Sequence, residues 1–183
     1  MSEVEKKDVK TTYTPSKSLV SCFEWVSAAM TALMLVCVLF AVFFRMVNVD
    51  GDSMYNTLHN GDRLLISNFM YEPEYGDIVV IRRVDDTPLI KRIIGLPGDT
   101  IYINPQTGIV YRNGEALQED YVYGGFTPTN GLGRAVEVEE GTLFVMGDNR
   151  CASLDSRMLG CLSQEYLVGR VIYRISPNSG KVE

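Results

Sequence analysis

The chain has 183 residues, with 17 Lys and Arg against 23 Asp and Glu, four Cys, one Trp and one His, for a net charge of −6. That balance argues against nucleic acid as a partner, because phosphates call for a basic face. A single imidazole and the lack of any Cys-x-x-Cys pair exclude the common zinc motifs, so no metal and no cofactor is expected.

Residues 1–24 carry Lys6, Lys7, Lys10 and Lys17 ahead of an uncharged run at 25–44, WVSAAMTALMLVCVLFAVFF, in which only Ser27 and Thr31 are polar. At about 1.5 Å per helical residue this run reaches roughly 30 Å, the thickness of a bilayer's hydrocarbon. It predicts a transmembrane helix, with Trp25 at one interface and Phe43, Phe44 and Arg45 at the other. The apolar core of a secretory signal is shorter, roughly 7 to 15 residues, and begins sooner, so the run reads as an uncleaved anchor. The flanking Lys residues predict a single-pass cell-membrane protein with residues 1–24 cytoplasmic and a domain of residues 45–183 outside. From residue 46 onward, 12 Lys and Arg face 19 Asp and Glu, and only Lys91 and Lys181 of those cations are lysines.

The outer part opens on VDGDSMYNTLHNGD (49–62). Gly51, Asp52 and Ser53 form either a plain turn or an exposed hydroxyl beside free backbone N–H groups, which suits an oxyanion hole. Runs rich in β-branched and aromatic residues then predict strands at 62–69, 76–83, 88–96 and 99–104. The strand at 88–96 is apolar on both faces around Lys91, whose ammonium either snorkels to water or is buried. Burial lowers a lysine pKa, and a drop of roughly 2 to 3 units gives a base usable near neutral pH, which Arg never becomes. Asn113-Gly114 marks a hairpin, residues 123–134 a long Gly- and Thr-rich loop, and Glu140-Gly141 a turn between the strands of AVEVEEGTLFVMGD. GDNRCASLDSR (147–157) follows, and GRVIYRI (169–175) closes the set. Its mixed charges either brace a neighbouring group or form a solvated loop. Seven strands and no amphipathic helix give an all-β domain of coiled antiparallel sheets behind one N-terminal transmembrane helix.

Taken together, these segments resemble the type I signal peptidase family, membrane-anchored Ser/Lys endopeptidases that remove signal peptides. SMYNTL is similar to the family's box S-M-x-P-T-L and IKRIIGLPGD to its lysine box, while GDNRCASLDSR matches G-D-N-R-x-x-S-x-D-S-R at every fixed position. The resemblance implies that Ser53 is the nucleophile and Lys91 the general base. It implies further that Ser153 orients Lys91, that Asp148, Asp155 and Arg157 scaffold the pocket, and that Arg92 is an ionic partner. The implied substrates are preprotein signal peptides cut after A-x-A sites at the bilayer surface, through an acyl-enzyme. Met54 and Leu89 are the candidates for lining the subsites. Two departures stand out. Asn56 replaces the box's Pro, and Gly51 stands where some members carry a Ser that assists the oxyanion hole, which leaves the N–H groups of Ser53 and Gly51 itself.

His59 lies in a turn-rich stretch and reads as an exposed loop residue. Cys151 and Cys161 fall on the outer side, where a disulfide persists if their Cα atoms come within about 7 Å. Two rival readings remain at this point: a sortase-like thiol transpeptidase using Cys151, His59 and an Arg, and a non-enzymatic anchored domain that binds envelope proteins.

Overall fold

The structure is a computed structural model describing residues 16–83, 88–177 and 179–182; Lys6, Lys7 and Lys10 of the expected cytoplasmic segment lie outside them. The chain divides into one unit up to Ala41 and a second from Val42 onward. Helix α1 (Lys17–Phe43) dominates the first. Its segment Val20–Phe43 is long and apolar enough to cross a membrane, and its side chains are exposed up to Val42, with Phe43 half-buried. The helix ends one residue before the expected boundary, because Phe44 already pairs as the first residue of a strand.

Among the described residues eleven strands follow, where seven were expected. They are β1 (Phe44–Asn48), β2 (Arg63–Ser67), β3 (Ile78–Arg82), β4 (Pro88–Gly95), β5 (Thr100–Ile103) and β6 (Val110–Arg112). β7 (Glu115–Ala116), β8 (Val136–Glu137), β9 (Thr142–Met146), β10 (Leu162–Ser163) and β11 (Leu167–Ser176) complete the set. The extra strands are short, or continue the apolar anchor as β1 does, so neither periodicity nor flanking turns announce them.

Burial follows side-chain pattern strand by strand. In β2, Leu64 and Ile66 point inward between exposed or half-buried neighbours, the alternation of a one-sided strand. β3 and most of β4 are buried on both faces, as their unbroken apolar runs require. Asn113 and Gly114 both take positive φ, 56° and 85°, and join β6 to β7 as the predicted hairpin.

One sheet has the order β1-β2-β11-β3-β4-β9-β10 and the other β7-β6-β5-β8, antiparallel throughout. The turn at Glu140-Gly141 is present, but it does not close a hairpin: β8 pairs with β5 in the small sheet, and β9 pairs with β4 in the large one. Three apolar clusters form the core, around Leu64, Ile66 and Val80, around Ile101 and Phe144, and around Val79 and Val145. The final strand, β11, lies between β2 and β3 and so unites the two halves of the large sheet.

Candidate active site

Ser53 sits in the turn between β1 and β2, and Lys91 in the middle of β4, opposite Val79 of β3. The fold brings their side chains together: Lys91 Nζ donates to Ser53 Oγ at 2.6 Å and to the Ile90 carbonyl at 2.9 Å. Lys91 is only 2% exposed, so of the two readings open from sequence the buried one holds. Burial pushes its pKa from an ordinary 10.5 down to about 8; the carboxylates of Asp155 and Asp148 oppose the drop, and the Arg157 guanidinium adds to it.

The segment 147–157 surrounds this pair and is more ordered than a solvated loop. It contains a 3-10 turn at Arg150–Ala152 and a short helix, α2 (Ser156–Leu159), whose N-cap Asp155 accepts from the Arg157 N–H. Three buried ion pairs originate here. Asp148 accepts from Arg92 Nε and Nη2 at 2.9 and 2.8 Å, Arg150 Nη2 reaches Glu119 at 2.6 Å, and Arg157 Nη2 folds back on Asp155 at 2.7 Å. The other buried carboxylates, Asp62 and Asp77, pair with Arg174 and Arg170. Among the described residues, Lys91 is the only buried charged side chain without an ion-pair partner. An ammonium in that position is readily made neutral, whereas each paired guanidinium stays charged.

The sequence did not assign the groups that fix the turn at Ser53. The Thr57 hydroxyl donates to Asp148 Oδ2, and the Asn149 N–H donates to the Ser53 carbonyl at 3.0 Å. Asn149 Nδ2 takes the Asp52 carbonyl at 3.1 Å, so one residue holds the backbone on both sides of the Asp52–Ser53 peptide. Asp148 joins this turn to β4 through Thr57 and Arg92. Gly147 is a matter of space: a Cβ there would overlap the Ser53 carbonyl oxygen and the Ser153 hydroxyl. Thr57, Gly147 and Asn149 all lie within the quoted motifs, which was the available signal.

Two expectations need correction. The Gly51 N–H, weighed as a second oxyanion donor, donates instead to Asn60 Oδ1 at 3.0 Å, because the loop folds back on itself there. Among the described residues no hydrogen bond engages the Ser53 N–H. Ser153, expected to orient Lys91, has a buried Oγ with no hydrogen-bond partner among the described residues. The Ile90 carbonyl holds Nζ in its place.

A cavity of about 90 Å³ adjoins the pair, walled by Val47, Met54, Leu89 and Ile90 with Ser53 and Lys91 at its edge. Met54 and Leu89, the sequence candidates for lining a subsite, both border it; Met54 is almost wholly buried and Leu89 half-buried. His59 is exposed and its ring meets only Tyr55, edge to face at 5.0 Å. Cys151 and Cys161 are separate thiols. Among the described residues no group of His, Cys, Asp or Glu could hold a metal ion.

Residues 22–176 match the family model described as signal peptidase, peptidase S26. Signal peptidase I T of Bacillus subtilis is 35% identical over 177 residues, covering 90% of this chain and 91% of its own. Signal peptidase I of Bacillus licheniformis is 37% identical over 161 residues, covering 81% of this chain and 86% of its own. A crystal structure of a signal peptidase I from Enterococcus faecalis, 30% identical, covers 55% of this chain and 97% of that one at a TM-score of 0.45.

Proposed function

The chain belongs to the signal peptidase family, and from that premise we propose that it is a serine endopeptidase that cuts preproteins with a Ser53/Lys91 dyad. Membership displaces the thiol-transpeptidase and binding-module readings. The observation that carries the proposal is the pairing of Ser53 Oγ, at 2.6 Å, with a buried lysine that no carboxylate pairs.

The steps follow from that geometry. Neutral Lys91 accepts the Ser53 proton as Oγ attacks the scissile carbonyl. The carbonyl oxygen becomes an oxyanion, and the Ser53 N–H is the donor positioned to take it. As the tetrahedral adduct collapses, the C–N bond breaks and the Lys91 ammonium gives its proton to the leaving amine. Water, deprotonated by the regenerated amine, then hydrolyses the ester and frees Ser53. Asp148, Arg92, Asp155 and Arg157 are positioning residues: paired among themselves, they hold the Lys91 strand and the Ser53 turn in register while leaving the lysine unpaired.

Specificity rests on the small cavity. With Met54 and Leu89 in its wall and Ser53 and Lys91 bordering it, it is the candidate to take a residue next to the cut. A preference for A-x-A sites is what membership of the family implies for that subsite. Helix α1 serves as the membrane anchor, and a nucleophile nine residues beyond Phe44 keeps the reaction close to where a membrane-held signal peptide emerges.

The test is cleavage of a labelled preprotein carrying an A-x-A site by the full chain in detergent. Ser53→Ala, Lys91→Ala and Lys91→Arg should each abolish cleavage, and Cys151→Ala should leave it intact. Activity in Lys91→Arg would send the proton to another group and refute the dyad.

A further inference from the structure

Asn149 stands at the start of the 3-10 turn Arg150–Ala152, where an Asn side chain ordinarily accepts from the backbone of the turn it begins. Here the side chain makes no such bond. The Asn149 backbone carbonyl accepts from the Ala152 N–H at 3.1 Å, while the side-chain amide turns away and donates from Nδ2 to the Asp52 carbonyl, 97 positions distant, at 3.1 Å. The side chain serves the Ser53 turn and not its own.

The residues on either side hold Asn149 firmly. Asp148 is fully buried in its pair with Arg92, and Arg150 is fully buried in its pair with Glu119. From this mount two bonds reach the chain around Ser53. Nδ2 holds the carbonyl of the peptide before it, and the Asn149 N–H, at 3.0 Å, holds the carbonyl of the peptide after it. Both peptides are trans and planar, so their two orientations set the φ and ψ of Ser53. In such a peptide the N–H points opposite to the C=O. The bond on the Asp52 carbonyl therefore aims the Ser53 N–H the other way, and among the described residues no hydrogen bond engages that N–H. A hydrogen bond accepted by the carbonyl also polarises the amide and strengthens its N–H as a donor.

We infer that Asn149 is the positioning residue of the oxyanion hole: through the Asp52–Ser53 peptide its side chain sets the direction and strength of the Ser53 N–H. The inference rests on the reading of Ser53 as the nucleophile. Asn149 touches neither the scissile bond nor Lys91 and acts only through that peptide. Because the Gly51 N–H is engaged by Asn60, it does not share the oxyanion, and the aim of the Ser53 N–H matters the more. Outright loss of one oxyanion donor costs about 100- to 1,000-fold in kcat, and a misplacement of about 1 Å costs about 100-fold, so a donor left unaimed should cost about 10- to 100-fold.

The test uses the full chain in detergent with a labelled preprotein carrying an A-x-A site. Asn149→Ala should lower kcat by about 10- to 100-fold and leave KM within about twofold, since the donor is needed as charge develops and not for binding. The rising limb of its pH–rate profile should stay near 8, because no charge is removed. Two peptides ending at the cut separate positioning from general damage. In a peptide aldehyde the Ser53 Oγ bonds to the carbonyl carbon, the hydroxyl proton passes to Lys91 and the π pair stays on the oxygen, which takes the oxyanion's place. The matching alcohol fills the same site and forms no adduct. Asn149→Ala should lose affinity for the aldehyde about as much as it loses kcat and keep its affinity for the alcohol. Asn149→Asp, of the same size but without the donor, serves if the truncated variant does not fold, and should show the same split on the plateau of its own pH profile. Wild-type kcat in a folded variant, a loss confined to KM, or equal losses for aldehyde and alcohol would each overturn the inference. Cleavage by Ser53→Ala would overturn it together with the reading beneath it, whereas an inactive Ser53→Ala beside a fully active Asn149→Ala overturns this inference alone.

Discussion

Replacing Lys91 by Met removes the one unpaired buried ammonium while keeping a long unbranched side chain, and the consequence for stability depends on pH in a calculable way. In the unfolded chain this lysine keeps its proton up to about 10.5, whereas in the folded chain it releases it near 8. Between those values the unfolded state binds more protons, so the wild type gains stability as pH rises through the window. The gap between 10.5 and about 8 corresponds to about 3 kcal/mol. Below pH 8 the wild type bears that penalty in full, and above 10.5 it bears none. Whatever packing methionine gains or loses is independent of pH, so the difference between variant and wild type isolates the proton. The stability advantage of Lys91→Met should be flat below pH 8 and fall by about 3 kcal/mol from there to pH 10.5. At roughly 2 to 4 °C per kcal/mol this is a relative change of about 6 to 12 °C in Tm, measured by thermal unfolding in one detergent across the pH series. The same pKa fixes the shape of the wild-type rate profile. A base near 8 gives about a tenfold rise in kcat/KM between pH 7 and 9, while one near 10.5 gives about a hundredfold rise. The substrate should carry a blocked amino terminus so that only the enzyme titrates. A Tm difference that stays constant across the window, or a hundredfold rise in rate, would refute the account of Lys91 as a desolvated base.

Asp148→Asn strips the carboxylate from a buried guanidinium and should destabilise the fold by roughly 3 to 5 kcal/mol, read from denaturant unfolding. Because the Asp148 carboxylate holds the Lys91 pKa up, its loss should also move the rising limb of the pH–rate profile to lower pH; an upward shift would contradict this sign. Gly147→Ala forces a methyl group against the Ser53 carbonyl, so it should cost about 1 to 3 kcal/mol of stability and lower kcat more than it raises KM. Ser153→Ala removes a buried hydroxyl that has no partner, and Tm should hold or rise slightly; a fall worth more than about 1 kcal/mol would reveal a bond to that oxygen.

What could be read from sequence depended on how local the signal was. The burial of Lys91 was open to two readings, yet the unbroken apolar run of β4 foretold that both faces of the strand are covered. Asn113-Gly114 foretold its hairpin because the residues themselves tolerate positive φ. The Glu140-Gly141 turn misled for the complementary reason: a turn fixes a change of direction, while the partner of β8 is set by packing against Ile101 and Phe144. The clamps on the Ser53 turn were out of reach because Thr57 and Asp148 stand 91 residues apart, a separation that no periodicity reports. The orienting bond to Lys91 from the Ile90 carbonyl was equally hidden, since backbone groups leave no trace in residue identity. The same holds for the Gly51 N–H, whose engagement by Asn60 depends on the path of the loop.

The place of β11 in the large sheet bears on how Ser53 and Lys91 are held together. Ser53 belongs with β1 and β2, Lys91 with β3 and β4, and these pairs of strands are hydrogen-bonded to each other only through β11, which runs between them. Arg174 of β11 also donates to the Thr57 carbonyl, four residues past Ser53. Without residues 167–176 the two half-sheets have no strand to join them, and the clamps of Asp148 and Asn149 alone connect the Ser53 turn to the Lys91 strand. β11 thus completes the large sheet by pairing with strands far from it in sequence, a high-contact-order arrangement that makes folding slow. A chain that loses β11 should therefore keep both Ser53 and Lys91 and yet hold them together less firmly.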